Sequence, residues 1–285
     1  MRAGKSVIQI GMMNFRKWQT DYRIWCIGIL LAVMTAIYAD DMRKAAKLLG
    51  TDMPIWIFPF LYSQFHTKLI FMLGVVLMFC NAPFIDSNQV FVYMRSGRVK
   101  WLCGQILYIA AASAAYFLFL LAISLLFTMF SGGISLEWGK TLVSLSYDSR
   151  IHTMADAPFV EVSAKVITFF TPLQAIWFTF LISWLGGIVL GLLIFLCNLL
   201  CRSKLTGILV SSFLVVICSV IENEGWEALL PFSPISWTTL DNIDVGGLSR
   251  NPTFTYCMCV YAGIIIMLTA SIIIFGRKKS FDRKE

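Results

Sequence analysis

The amino-acid sequence predicts an all-α polytopic membrane protein with six transmembrane helices, an N-terminal interfacial helix and both termini in the cytoplasm. Three observations carry this. Of 285 residues, 58% are hydrophobic and only 14% charged, and the mean hydropathy is +0.77. A water-soluble domain of this length cannot hide so much apolar surface behind a charged exterior. Six uncharged apolar runs, residues 24–39, 69–85, 102–130, 172–200, 205–221 and 256–276, read as spanning helices by length and composition. Lys and Arg, finally, crowd into alternate connections. With the N-terminus inside, the inner segments hold 15 of the 23 basic residues and 4 of the 16 acids. Membrane topogenesis favours that bias, and an even number of spans returns the C-terminus to the cytoplasm.

Residues 1–23 form the interfacial element. "SVIQIGMMNFRKW" places Val7, Ile8, Met12, Phe15 and Trp18 near one helical face and leaves Asn14, Arg16 and Lys17 for the other. Such a helix lies in the headgroup region without crossing it. The transmembrane domain covers residues 24–276. Its first span is the shortest and leans on its flanks, Tyr22 and Arg23 snorkelling at one end and Tyr38 seated at the other interface. The third and fourth spans, about 43 Å long at about 1.5 Å per residue, are expected to tilt, kink or project. Pro172 behind Thr171 marks the start of the fourth as a first-turn proline after a cap.

Long outer connections are predicted at 40–68, 131–171 and 222–255. In the first, "KAAKLLG" reads as a separate short amphipathic helix stopped by Gly50, followed by the aromatic "PIWIFPFLY". The second, with "SGG" and "SYDSR", is expected to be looser or to shield a dimer from outside. The third, broken by Pro231 and Pro234, reads as a pair of half-inserted helices and a turn. Within the spans Gln105, Gln174, Ser183, Asn198, Ser211 and Ser212 are available for interhelical hydrogen bonds. Ser183, Gly187, Gly191 and the run "AAASAA" at 110–115 permit close backbone approach, more naturally within the chain than between subunits. Residues 277–285 are a basic tail.

Several function classes are excluded. The net charge of +7 gathers against the inner leaflet, where anionic lipid attracts it, so membrane lipid and not nucleic acid is its partner. The apolar run begins too late for a cleavable signal, and "IYADD" is a poor cleavage site. Six of the eight cysteines fall inside predicted spans without histidine or acidic companions, which suits packing and not metal. "GKS" at residues 4–6 lacks the glycine a phosphate loop needs five residues earlier. No serine elbow, helical histidine pair or buried acid pair supports catalysis, so no catalytic or metal residue is expected. The spans are also free of charged interior residues that gradient-coupled transport requires.

One inner connection has room for a structured element, residues 83–101. Pro83 is read as ending the second span, Asp86 and Gln89 as an approximate capping box, and Gln89 to Met94 as a short helix bearing Val90, Phe91, Val92 and Tyr93. Gly97 stops it, Arg95, Arg98 and Lys100 form its basic end, and Trp101 anchors the third span at the interface. Topogenesis alone accounts for the basic residues. A docking surface for a partner accounts for the cap, the helix and the aromatics as well.

From Phe84 through Ala112 the stretch "FIDSNQVFVYMRSGRVKWLCGQILYIAA" resembles the ABC type-2 transporter permeases. Asp86 stands at that family's acidic position, Arg95 to Arg98 at its basic turn, and Gly104-Gln105 at the "GK"-like start of its third span. Asp replaces the more usual Glu, and Gln105 the typical Lys. The resemblance implies a membrane subunit of an ATP-driven exporter in the cell inner membrane, with no ATPase of its own. A separate ABC ATP-binding subunit, carrying ATP and Mg, would dock on Gln89, Val90, Phe91, Tyr93, Met94, Arg95 and Arg98, and a second permease copy or homologue would complete a dimer. The alternative is a membrane-anchored assembly or immunity protein without transport activity.

Overall fold

A computed structural model describes residues 2–84, 92, 95–129, 137–148, 150–201, 203–247 and 250–278. Among them the chain forms α1 (Arg2–Arg16), α2 (Tyr22–Leu49), α3 (Phe65–Phe79), α4 (Arg98–Met129), α5 (Gly139–Tyr147), α6 (Arg150–Met154), α7 (Ala164–Phe169), α8 (Pro172–Cys201), α9 (Lys204–Asn223) and α10 (Phe254–Lys278). The described residues contain no strand, only an isolated bridge between Asp244 and Thr253. Five helices, α2, α4, α8, α9 and α10, are long and apolar enough to cross a membrane, and α3 is a shorter apolar helix of 15 residues.

Burial ranks these helices. The most apolar window of α8 is 61% buried, against 28% for α2 and α9 and 17% for α10. Helix α8 is therefore the axis, and the others present apolar side chains such as Leu209, Phe213, Ile266 and Met267 outward, as lipid contact requires. The small residues of α8 serve packing within the chain. A Cβ on Gly191 would stand 2.6 Å from Ile109 Cγ2 and 2.9 Å from Phe79, and one on Gly187 2.9 Å from Phe117. The Trp184 indole donates to the Ala110 carbonyl at 2.8 Å across the same α4–α8 crossing.

Helix α8 begins at Pro172, as its sequence predicts. Gln174, expected to bridge helices, instead reaches back and accepts the Thr171 N–H at 3.1 Å, one half of a capping box. Helix α2 runs without a break through "KAAKLL", because Asp40, Asp41, Arg43 and Lys44 pair along its own surface at three- and four-residue spacing. The charges end the apolar run but not the helix. Gly50, at φ 62, then closes it, with the Thr51 N–H donating to the Ala46 carbonyl at 3.0 Å. Tyr38, expected at an interface, is fully buried, and so is Trp101 at 2% exposure.

Helix α3 is displaced from the expected 69–85. It starts at Phe65, after extended Gln64, and stops at Phe79, four residues short of Pro83. The early start is allowed because Lys68, in its first turns, is 1% exposed and paired with Glu222 of α9. The early stop is held by the Asn198 amide, which donates to the Ala82 carbonyl at 2.8 Å.

The described parts of the three long connections are packed against the helices. In the second, Trp138 is buried and its indole donates to the Phe170 carbonyl at 2.8 Å, while Thr141 donates to the Asp52 carbonyl at 2.7 Å. The third holds three 3-10 turns, Glu227–Phe232, Pro234–Thr238 and Leu240–Asn242, where a pair of half-inserted helices is the sequence expectation. All of Pro234–Thr238 is buried among α8, α9 and α10. Prolines remove the donors a longer helix would need, and side chains replace them: Ser236 donates to the Cys218 carbonyl at 2.7 Å and Tyr261 to the Pro234 carbonyl at 2.6 Å.

Candidate functional site

The connection between α3 and α4 carries the docking residues read from the sequence. Gln89, Val90, Phe91, Tyr93 and Met94, together with Asp86, lie outside the described residues. Its two ends are described. At the first, Phe84 has φ 58, a backbone region few non-glycine residues adopt, and its ring meets Tyr108 of α4 edge-on at 5.0 Å. At the second, Val92, Arg95 and Ser96 are helical, and Ser96 Oγ donates to the Val92 carbonyl at 2.6 Å. Gly97 follows at φ 84, and α4 begins at Arg98. Here the stop expected at Gly97 is in place, with the left-handed backbone that favours glycine.

Arg95 is exposed. Arg98 is exposed too, but its guanidinium Nη1 donates to the Arg277 carbonyl at 2.8 Å. A cation on the last carbonyls of a helix complements its dipole, and this contact puts the start of α4 beside the end of α10. A second contact between the same helices is close: a Cβ on Gly276 would stand 2.6 Å from Leu102 Cδ1.

On the other side α4 is gripped by α1. Gly104 and Gly11 face one another, a Cβ on Gly11 standing 3.4 Å from the Gly104 carbonyl and one on Gly104 2.6 Å from Ile10 Cγ2. Asn14 donates from Nδ2 to Gln105 Oε1 at 2.6 Å, both residues being buried. The Trp18 indole donates to Tyr108 OH at 2.8 Å. The packed face of α1 is thus Ile10, Gly11 and Asn14, with Phe15 and Trp18 against Tyr108 as expected; Ile8 and Met12, expected on the same face, are more than half exposed, and Asn14, expected on the polar face, is buried. Hydrophobicity alone favours the bulky residues, but small Gly11 and hydrogen-bonding Asn14 allow closer approach than they do. The signal that finds this face is a glycine with a side-chain amide close by on each helix, Gly11 with Asn14 and Gly104 with Gln105.

A cavity of about 460 Å³ opens between α1, the start of α2 and the α3–α4 connection, with Lys17, Asp21, Arg23, Asn81 and Phe84 in its wall. Asp21 caps α2, accepting from the Arg23 backbone N–H at 3.1 Å and from its guanidinium at 2.7 Å. Burial raises the Asp21 carboxyl, but hydrogen bonds from the Arg23 side chain and backbone outweigh it and hold the group below its ordinary value. The cavity therefore presents a fixed ion pair.

At the far ends of the helices lies a second, polar cavity of about 390 Å³, containing the Lys68–Glu222 pair. Both residues fall in the predicted outer loops, one residue beyond the nearest predicted spans. Their pairing, 154 positions apart, has no local signature. Among the described residues no cluster of His, Cys, Asp and Glu has the arrangement of a metal site. Compared with known protein families and with curated proteins, the chain matches no family model and no curated protein.

Proposed function

We propose that the chain is the six-span membrane subunit of an ATP-driven exporter of the ABC type, seated in the cell inner membrane with both termini cytoplasmic. One observation supports this reading above the rest. The first turns of α4, directly after the basic and aromatic connection, are clamped between α1 through Gly11, Asn14 and Gln105 and α10 through Leu102, Gly276 and Arg98. A push on the connection is therefore handed to two further helices at once. Interiors as closely packed as these transmit displacement instead of absorbing it.

In the proposed cycle a separate ATP-binding subunit supplies the push. Phe91 and Tyr93 fill its groove, Arg95 pairs with its acids, and closure of two such subunits on ATP and Mg moves the helix around Gln89 to Met94 in each half of a dimer. Helix α3 counts as the sixth span. At about 22 Å it is shorter than the hydrocarbon core of about 30 Å, and the buried 3-10 turn Phe58–Tyr62 extends it at the outer end.

The test is to purify the tagged chain from its native membrane and measure the ATP hydrolysis that accompanies it. Wild type is expected to retain hydrolysis that transport substrate stimulates. The Phe91→Ala, Tyr93→Ala variant is expected to express normally and to lose that stimulation. A wild-type chain that purifies without any ATP hydrolysis would favour a membrane-anchored assembly or immunity protein.

A further inference from the structure

The polar cavity at the face opposite the start of α4 plays no part in the exporter mechanism. Four separate stretches meet in it: the start of α3, the segment before α7, the last turns of α9 and the turn around Asp241. Its volume, about 390 Å³, falls within the range of small-molecule sites, roughly 300–1,000 Å³. Its charge is lopsided. Glu161, Glu222 and Asp241 contribute three carboxylates to the wall, against the single ammonium of Lys68. Lys165 stands just outside, donating to the Asp241 carbonyl at 2.6 Å, and even counting it the acids remain in excess.

Two further observations say what the excess is for. Ser219, in the cavity wall and 1% exposed, has a buried hydroxyl without a hydrogen-bond partner among the described residues. A buried hydroxyl left unpaired is costly, and a ligand with an N–H group removes that cost. The last turns of α9, which carry Ser219 and Glu222, also form the negative end of that helix's dipole, which favours a cation nearby although the last carbonyls themselves accept from the Glu224, Gly225 and Trp226 N–H groups. A bare metal ion does not fit, because the acids do not converge as ligands would.

We propose that this cavity binds an alkylammonium group, with the carboxylates of Glu161 and Asp241 meeting its charge and the Ser219 hydroxyl accepting one of its N–H bonds. The Lys68–Glu222 pair forms the floor, holding Glu222 in place beside the ligand. The shared chemistry is a primary ammonium, carried either by a free amine or by the lysine side chain of a peptide. Nothing in it depends on an ATP-binding partner, so it stands or falls separately from the exporter reading.

Isothermal titration of the purified full chain in lipid nanodiscs tests it, with cadaverine and the peptide Gly-Lys-Gly as probes and tetramethylammonium and Mg²⁺ as controls. Binding of either probe at or below millimolar concentration, with neither control matching it, upholds the proposal, and the tighter probe names the source. Glu222→Gln would strand the buried Lys68 charge, so the informative variants are Glu161→Gln, Asp241→Asn and Ser219→Ala. Ser219→Ala leaves no partner unpaired and is expected to keep its melting temperature while losing roughly tenfold in affinity, the worth of one hydrogen bond to a charged group. Absence of binding by both probes, equal binding of tetramethylammonium or Mg²⁺, or full affinity in all three variants would overturn it.

Discussion

Asn198 joins three segments with one side chain, donating from Nδ2 to the Ala82 carbonyl and accepting through Oδ1 from the Gly207 amide, each at 2.8 Å. Replacing it by alanine strands a carbonyl and an N–H at the end of α3 and the start of α9. The expected cost is about 1–3 kcal/mol, read as a lower melting temperature of the detergent-solubilised chain. Gly207→Ala attacks the same junction, because its Cβ would lie 2.5 Å from Asn198 Oδ1 and 2.7 Å from the Ile194 carbonyl, and backbone cannot step aside. Since the two changes disturb one contact, the double variant should lose less than the sum of the single losses. Asn198 is legible in the sequence as a polar group in an apolar helix, which must find partners. Its particular partners are not, and neither is the burial of Tyr38 and Trp101. Aromatic residues near a span end suit an interface and a core equally, and only the neighbouring helices decide.

At the scale of elements, α1 rests on α4 through a contact that a single methyl group disturbs. Gly104→Ala is expected to lift α1, since the new Cβ meets Ile10 Cγ2 at 2.6 Å, and limited proteolysis should then cut within residues 1–20 faster than in wild type. Adding Ile10→Gly removes both obstructing atoms, Cγ2 at 2.6 Å and Cβ at 2.8 Å, and should restore much of the protection. An unchanged cleavage rate in Gly104→Ala would show that α1 is not held by this crossing. The cap of α2 provides a pH test. Because the folded Asp21 carboxyl lies below its ordinary value, its ion pair contributes stability that is complete above about pH 3.9 and disappears as pH falls through the folded value. Asp21→Asn keeps the cap but not the charge, so its melting temperature should trail wild type near neutrality and converge with it in acid. Elements with local signatures are readable in the sequence: Pro172 starts α8, Gly50 ends α2 and Gly97 precedes α4. At α2 and α3 the helix boundaries differ from those that charge predicts, because an ion pair lets a helix continue where an apolar run stops. The buried turn Pro234–Thr238 was illegible for another reason. Thr239, directly after it, donates to Tyr62, 177 positions away, a contact with no local signature.

At the scale of the molecule, the helix ends sort into two groups. Arg98 with Arg277, Asn198 with Ala82 and Asn14 with Gln105 meet at one face; Lys68 with Glu222, Gln64 with Pro158 and Thr239 with Tyr62 meet at the other. Helix α1 and the end of α10 both pack against the first turns of α4 at the first face, and the bias of Lys and Arg predicts that this face is cytoplasmic. The free cysteines make this testable. Cys201 is exposed on the first face, at the end of α8, and Glu224 is exposed on the second, just beyond α9. One variant retains Cys201 as its sole cysteine, and another carries Glu224→Cys as its sole cysteine. In right-side-out vesicles a membrane-impermeant maleimide is expected to label the second at once and the first only after the bilayer is opened. The reverse order would place the connection between α3 and α4 outside, away from ATP, and remove the exporter mechanism. It would leave the alkylammonium cavity intact but turn it toward the cytoplasm. The sidedness of the two faces thus decides whether a push at one end of α4 and a ligand site at the other belong to opposite compartments, which is the arrangement a transport cycle needs.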